Sequence, residues 1–370
     1  MLLLETEEPT EITVTVAGQD EYTTISHTYS GYELEHEVPV LGLHPEAINE
    51  IILTGETEDG TVTETAVEIE TESLPEDMLD FTLFTSSPGE MEEGLTFMSP
   101  SRAYFVGVDA NGDVRWYTSV KSSNNFNRLD NGNVLIATQE DDREEFDTLL
   151  EMNMLRKVEQ AILVDTENVL MSAPLHHDVI ILPNDNYLAL LHDGSDEYVE
   201  DEIAELDRET GEVVHRINLK DIFPTEMYEE YGGINSDVGD WVHVNAVWKL
   251  QDEDAILLSV RQQDMILKLT YPEGEIDWML APHENWNNDL EEYLLEPVDN
   301  NLKFPTGQHA VMEMPDQDGD DTTLDIMLFD NNRVITRGDI EEQEEYSRAI
   351  QYRINQESNT VEEIWSYGEE

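Results

Sequence analysis

The 370-residue chain reads as an all-β protein, a small sandwich followed by a propeller, on three observations. Apolar and polar residues alternate over 10–72, as in EITVTVAG and TAVEIET, with Gly, Pro and Asp-Gly breaks between the runs. A period of two with such punctuation marks half-buried antiparallel strands. After residue 95 a looser unit recurs, in which a strand ends in an Asn, Asp or Gly turn and another strand leaves it: FVGVDANGDVRWY, FNRLDNGNVLIAT, VIILPNDNYLALL, AVWKLQDEDAILLSV and LKLTYPEGEIDWML. Such turns between apolar runs are strong hairpin signals. Helical periodicity is weak, and only FPTEMYEEYGG (223–233) and NWNNDLEEYLLE (285–296) read as short helices.

The stretch SLPEDM (73–78) reads as a linker. The expected organisation is an immunoglobulin-like β-sandwich with its linker over 1–78 and a propeller domain over 79–370. The turns LDNGN, LPNDN and LQDED begin at residues 129, 182 and 250, roughly one propeller blade apart once insertions are allowed. About four blade-like units are expected. A propeller closes on itself to remove its sheet edges, whereas IWSYGEE follows directly on a strand that should pair onward. The C-terminal blades are therefore expected to be missing.

Composition excludes several classes. With 85 Asp+Glu against 18 Lys+Arg the formal net charge is −67, a field that repels nucleic-acid backbones and anionic membranes. The acidic residues are spread along the chain with no terminal block, as expected of a halophilic surface screened by concentrated salt. There is no cysteine, so neither a disulfide frame nor a thiolate metal site is expected. The start MLLLETEEPT has no basic region and does not read as a signal peptide. No run of about 20 apolar residues occurs, so no membrane insertion is expected.

Chemistry is expected from the histidines that open strands. His176 and His177 (LHHDVIILPNDN), His243 (DWVHVNAVW) and His309 (TGQHAVMEM) each begin a blade-like strand after a loop. Such strands converge on a propeller axis, although each histidine alone is more often a satisfied structural one, and it is their shared placement that favours chemistry. His27, His36, His44 and His215 read as surface residues, His283 as a loop residue and His192 as a blade-end or turn residue. Arg261 interrupts the run AILLSVRQQDMILKL, where an unpaired guanidinium is costly, so a carboxylate or an anionic ligand must answer it. No GxSxG, phosphate loop or GxGxxG is present. Three histidines suit zinc, but an adjacent arginine repels a metal and, with imidazoles, favours an oxyanion such as a sulfate or phosphate ester.

On these stretches, together with PVLGLHP, LFDNN and YSRAIQYRINQESNTVEEIWSYGEE, the chain resembles the arylsulfate sulfotransferase family over roughly 10–370. The specific features are HVN, the SVR strand and GQH in the family's order. The resemblance implies sulfuryl transfer from an aryl sulfate to a phenol by a ping-pong route, without a nucleotide donor or any other cofactor. It implies that His309 is the nucleophile that becomes sulfated. His243 and Arg261 would hold the sulfuryl and phenolic oxygens, with His177, ahead of His176, assisting. Asn245 would be a polar neighbour orienting the substrate. Aromatic side chains such as Trp241, Trp248 and Tyr104 are candidates to stack on the phenol but read first as core.

The resemblance further implies a six-bladed propeller, an extracytoplasmic location and a homodimer. No metal is implied. The acidic loop MPDQDGDDTTLD (314–325) has its glycine at the wrong place for an EF-hand and reads as a solvated turn. The competing readings are a non-catalytic propeller that binds or scaffolds, and a metal enzyme built on the histidine cluster.

Overall fold

A computed structural model describes residues 1–370 except 102, 123–124, 140–145, 165–174, 193–197, 200, 230–238, 287–288, 338, 340–345 and 369–370. The chain divides into two compact units. One comprises Met1–Lys121 with 131–133 and 152–159, and the other Ser122–Asp130, Val134–Glu151 and Gln160–Glu370.

In the first unit the alternating N-terminal segment forms strands Leu2–Val16, Ile25–Val38, Ile48–Thr57 and Val62–Glu70. The sandwich expectation takes the form of one hydrogen-bonded antiparallel sheet in the order second, first, third, fourth. Its inner face carries Ile12, Val14, Val16, Val38, Ile51 and Leu53, each worth about 1.5–3 kcal/mol when fully buried. The intervening Thr13 and Thr15 point outward and hydrogen-bond across the strand pair to Thr28 and Ser26. A three-stranded sheet follows, Thr96–Ser101, Tyr104–Val108 and Val114–Thr118. Buried Arg115 from its last strand donates to the carbonyls of Gly42 and Thr23 and pairs with Asp109 at 2.7 Å.

Further sheets run through the remainder. Strands Asn127–Arg128, Val134–Thr138, Thr148–Met152 and Val158–Leu163 form one, and Leu175–Ile181, Tyr187–Leu191, Glu202–Leu206 and Val213–Asn218 the next. Val244–Lys249, Ala255–Val260, Met265–Thr270 and Ile276–Leu280 form another, and the last is built from His309–Glu313, Thr323–Asp330, Arg348–Asn355 and Thr360–Tyr367. The short segment Glu296–Pro297 adds to that last sheet in parallel with Thr360–Tyr367. Five such sheets therefore follow the N-terminal one among the described residues, one more than the turn spacing predicts. The LDNGN, LPNDN and LQDED signals mark only three of them, and insertions blur the period elsewhere.

The second strands of three of these sheets are buried at every position: VLIAT (134–138), YLALL (187–191) and AILLSV (255–260). Continuous burial means that both faces are covered, which is why these strands read as unbroken apolar runs and not as alternation. Helix is scarce. The predicted helix at 223–233 is a short one, Thr225–Glu229, and residues 230–233 lie outside the described residues. The predicted helix at 285–296 reduces to a single 3₁₀ turn, Glu291–Tyr293, with 287–288 outside the description. No described helix is long and apolar enough to cross a membrane.

Candidate active site

The second unit sets the first strands of three successive sheets side by side: Leu175–Ile181, Val244–Lys249 and His309–Glu313. Side-chain bonds run between them. Asp178 accepts the amide of Val247 at 3.1 Å and the Nδ2 of Asn127 at 3.3 Å, and Asn245 donates to the carbonyl of Gln308 at 2.9 Å. Burial pushes the Asp178 carboxyl up in spite of these donors.

All three first strands share one irregularity. The pairing register slips between Leu175 and Val179, between Val244 and Ala246, and between His309 and Met312. Left-handed backbone accompanies each slip, at His177 (φ 49), His243 (φ 49) and Ala310 (φ 57). A bulge re-aims the side chains beside it, and positive φ at a non-glycine residue is uncommon enough to mark a constraint.

The result is a gathering of rings. The His177 and His243 centroids are 4.7 Å apart at 67°. His176 packs behind them, 5.4 Å from the His177 ring and 4.9 Å from that of His192. The two Nδ1 atoms of His176 and His177 lie 3.2 Å apart. Arg261 stands one residue past Val260, and its amide meets the His243 carbonyl at 3.3 Å. Arg261 does not interrupt a strand as the sequence suggests; it ends Ala255–Val260 and opens the 3₁₀ turn Arg261–Gln263. A half-buried turn residue avoids the cost of a guanidinium inside a strand.

His309 completes the group. Its Nδ1 lies 2.6 Å from Asn331 Oδ1. A carbonyl oxygen only accepts, so Nδ1 carries the proton and Nε2 keeps its lone pair. Burial lowers the His309 pKa below the ordinary 6.5, and the charges of Arg261 and His243 lower it further, against the opposing hydrogen bond of Asn331. His309 is therefore biased towards the neutral imidazole, with Nδ1 donating to Asn331.

Buried carboxylates fix the loops that carry it. Asp264, itself at φ 48, accepts the amides of Gly307 (2.9 Å), Thr336 (2.6 Å) and Arg337 (2.8 Å). Burial pushes its carboxyl up even so. Asp330 accepts the amides of Thr306 and Asn332 and the Nε of Arg348, each at about the ordinary length. The loop before His309 and the loop bearing Asn331 are thereby clamped together. Gly307 is required in this place: its φ is +58, and a Cβ there would sit 2.7 Å from the Arg333 carbonyl oxygen.

Every site residue expected from the sequence lies in this region: His176, His177, His243, Asn245, Arg261 and His309. His192, expected at a blade end or turn, adds its ring to the edge of the cluster. Asn331, Asp178, Asp264 and Asp330 are not singled out by sequence reasoning. Asp178 and Asp330 sit inside HHD and LFDNN, stretches that carry the resemblance without giving either carboxylate a role. Trp241 is fully buried against Phe223 and Tyr228, and Tyr104 is buried in the first unit. His283 and His215 bond to the backbone carbonyls of Leu295 and Pro272. In the acidic loop, Asp316 accepts the amides of Asp318 and Gly319, and Asp318 pairs with Arg353 at 2.8 Å. Among the described residues no group of three or more His, Asp or Glu is arranged to hold a metal ion.

Fold and site thus define an all-β protein of repeated antiparallel sheets, with imidazoles gathered at the first strands of three of them and a guanidinium on the turn that follows Ala255–Val260. The chain belongs to the arylsulfotransferase family: the family model Arylsulfotransferase (ASST) matches residues 82–370, and the Arylsulfotransferase Ig-like domain matches residues 1–72. It is 32% identical over 141 residues to the arylsulfate sulfotransferase AssT of Escherichia coli O6:H1, and 33% identical over 141 residues to that of Lelliottia amnigena. Each match covers 35% of this chain and only 23% of the relative's own length. Among solved structures, a Bacteroides caccae protein of unknown function aligns with a TM-score of 0.32 at 14% identity, covering 73% of this chain and 93% of that one. Hydrazine synthase of Kuenenia stuttgartiensis aligns with a TM-score of 0.36 at 13% identity, covering 71% and 63%. Overlays this loose define no shared detail.

Proposed function

We propose that this chain transfers a sulfuryl group from an aryl sulfate to a phenol in two steps, through a sulfohistidine at His309. The observation that carries the reading is the state of His309, an imidazole biased to its neutral form whose Nδ1 donates to Asn331, so that the lone pair lies on Nε2, next to the charge of Arg261. In the first step Nε2 attacks sulfur, an S–N bond forms, and the S–O bond to the donor phenol breaks with its electron pair going to the phenolic oxygen. In the second, an acceptor phenol attacks the sulfur and the S–N bond breaks, returning the lone pair to Nε2. Dividing one displacement into two is the gain of nucleophilic catalysis.

Arg261 answers the negative charge of the sulfuryl oxygens through its planar fork. His243 serves the phenolic oxygen, giving it a proton as the donor phenol leaves and taking one as the acceptor enters. His177, whose ring packs on His243, assists, with His176 behind it. Asn245 holds the strand before the nucleophile through the Gln308 carbonyl. No cofactor enters the scheme. The test is turnover of an aryl sulfate with a second phenol: His309→Ala should lose transfer by a factor on the order of 10⁶, as for removal of a nucleophile elsewhere. Normal turnover by that variant would remove the assignment.

A further inference from the structure

We propose that Asp240 is a positioning residue of this site, fixing the tautomer of His243 and anchoring the turn that carries Arg261. The inference rests on the sulfotransfer reading for its chemistry but on geometry for its substance. Asp240 is buried, with 4% of its surface exposed, and lies three residues before His243, on the loop leading into the strand Val244–Lys249. Its Oδ2 is 2.9 Å from His243 Nδ1 and also accepts from Gln262 Nε2 at 3.0 Å. Gln262 is the residue after Arg261 and has no exposed surface. Its amide donates to the Val242 carbonyl at 3.0 Å. One carboxylate oxygen therefore ties together the two chain segments that present His243 and Arg261.

The consequence for His243 is chemical. A carboxylate accepts and does not donate, so Nδ1 of His243 carries a proton in either charge state of the ring. All proton traffic is then confined to Nε2: imidazolium Nε2–H protonates the departing phenolic oxygen, and neutral Nε2 takes the proton of the entering phenol. Beside His243 stand the His177 ring, its centroid 4.7 Å away, and Arg261, whose amide meets the His243 carbonyl at 3.3 Å. The Asp240 carboxylate on the far nitrogen offsets the repulsion between Arg261 and the protonated ring. It also holds the imidazole at the left-handed backbone position that His243 occupies.

Two measurements on the full chain decide it. In the free wild-type protein, ¹⁵N-histidine NMR, assigned with His243→Gln, should show the neutral ring of His243 protonated at Nδ1, the reverse of the preference of histidine in water. Finding the neutral ring protonated at Nε2 overturns the proposal, and this result does not depend on any catalysis or on a variant folding. The second measurement compares Asp240→Asn with wild type across aryl sulfates of graded leaving-group basicity. The loss in kcat should reach about 10²-fold for an alkylphenyl sulfate, within the range of general acid catalysis, and shrink towards unity for a nitrophenyl sulfate whose phenolate leaves unaided. An equal loss with every donor means that Asp240 only holds the fold, and it too overturns the proposal. Absence of turnover by the wild type with all donors would instead strike the sulfotransfer reading, leaving the NMR result to stand alone.

Discussion

The strands Leu2–Val16 and Val244–Lys249 both sit inside antiparallel sheets, yet they treat polar residues in opposite ways. In the first, pairing with Ile48–Thr57 runs without a slip from Thr10↔Thr57 to Val16↔Ile51, and the slips against Ile25–Val38 end at Ile12, so both ladders are regular from Ile12 to Val16. Burial alternates strictly there: Thr10, Ile12, Val14 and Val16 are buried, and Thr13 and Thr15 face outward. In the second, the register slips between Val244 and Ala246, and His243 enters it with a left-handed backbone. An unbroken ladder sends every second side chain to solvent. A bulge at the strand start instead turns a polar side chain along the sheet, towards the neighbouring first strand. That the same slip recurs at His177, His243 and His309 means the site is made by three interruptions of otherwise ordinary sheets.

The comparison can be broken most severely at the cation. Arg261→Lys keeps the charge but loses the fork, and should lower kcat by about 10²–10³-fold, the scale of one lost oxyanion donor. The unfolding midpoint should stay close to wild type, since Arg261 lies half-buried in a turn. A variant that keeps more than a tenth of the activity would show that the fork is not used. The reverse dissociation is expected in the regular sheet. Ile12→Ala removes a side chain 3% exposed and should cost about 2–5 kcal/mol in chemical denaturation, with kcat per folded molecule unchanged.

A smaller effect sharpens the comparison through pH. Because burial and Arg261 depress the His309 pKa, the nucleophilic neutral form persists below the ordinary 6.5 and is lost only as pH falls through the depressed value. The acid limb of kcat/KM should therefore lie below pH 6.5. A limb above that value would mean that His309 carries a proton when it should be attacking.

Much of this was legible in the residues. Alternation in EITVTV and the turns of the later hairpins are local signals, and they give the β class and the sheets directly. The clustering of His177, His243 and His309 was legible too, because all three occupy the same place relative to a strand. What the sequence hides is non-local. Asp264 reads as one more acid in an acidic chain, and only folding brings the amides of Gly307, Thr336 and Arg337 to it. Asn331 looks like a turn residue until the loop meets His309. Arg261 reads as a strand residue because the 3₁₀ turn that carries it is just three residues long, too short to leave a periodic trace. The sheet count ran low for a related reason: insertions erase the repeat period although each sheet remains intact.

The most direct measurement is to mix the protein with an aryl sulfate in the absence of any acceptor, quench in base, and locate the sulfuryl group by peptide mass spectrometry. The account predicts one labelled peptide, with the group on a ring nitrogen of His309, which disappears when a phenol is added before the quench. Phenol release in step with transfer but with no labelled histidine, or with the label on another residue, would contradict it.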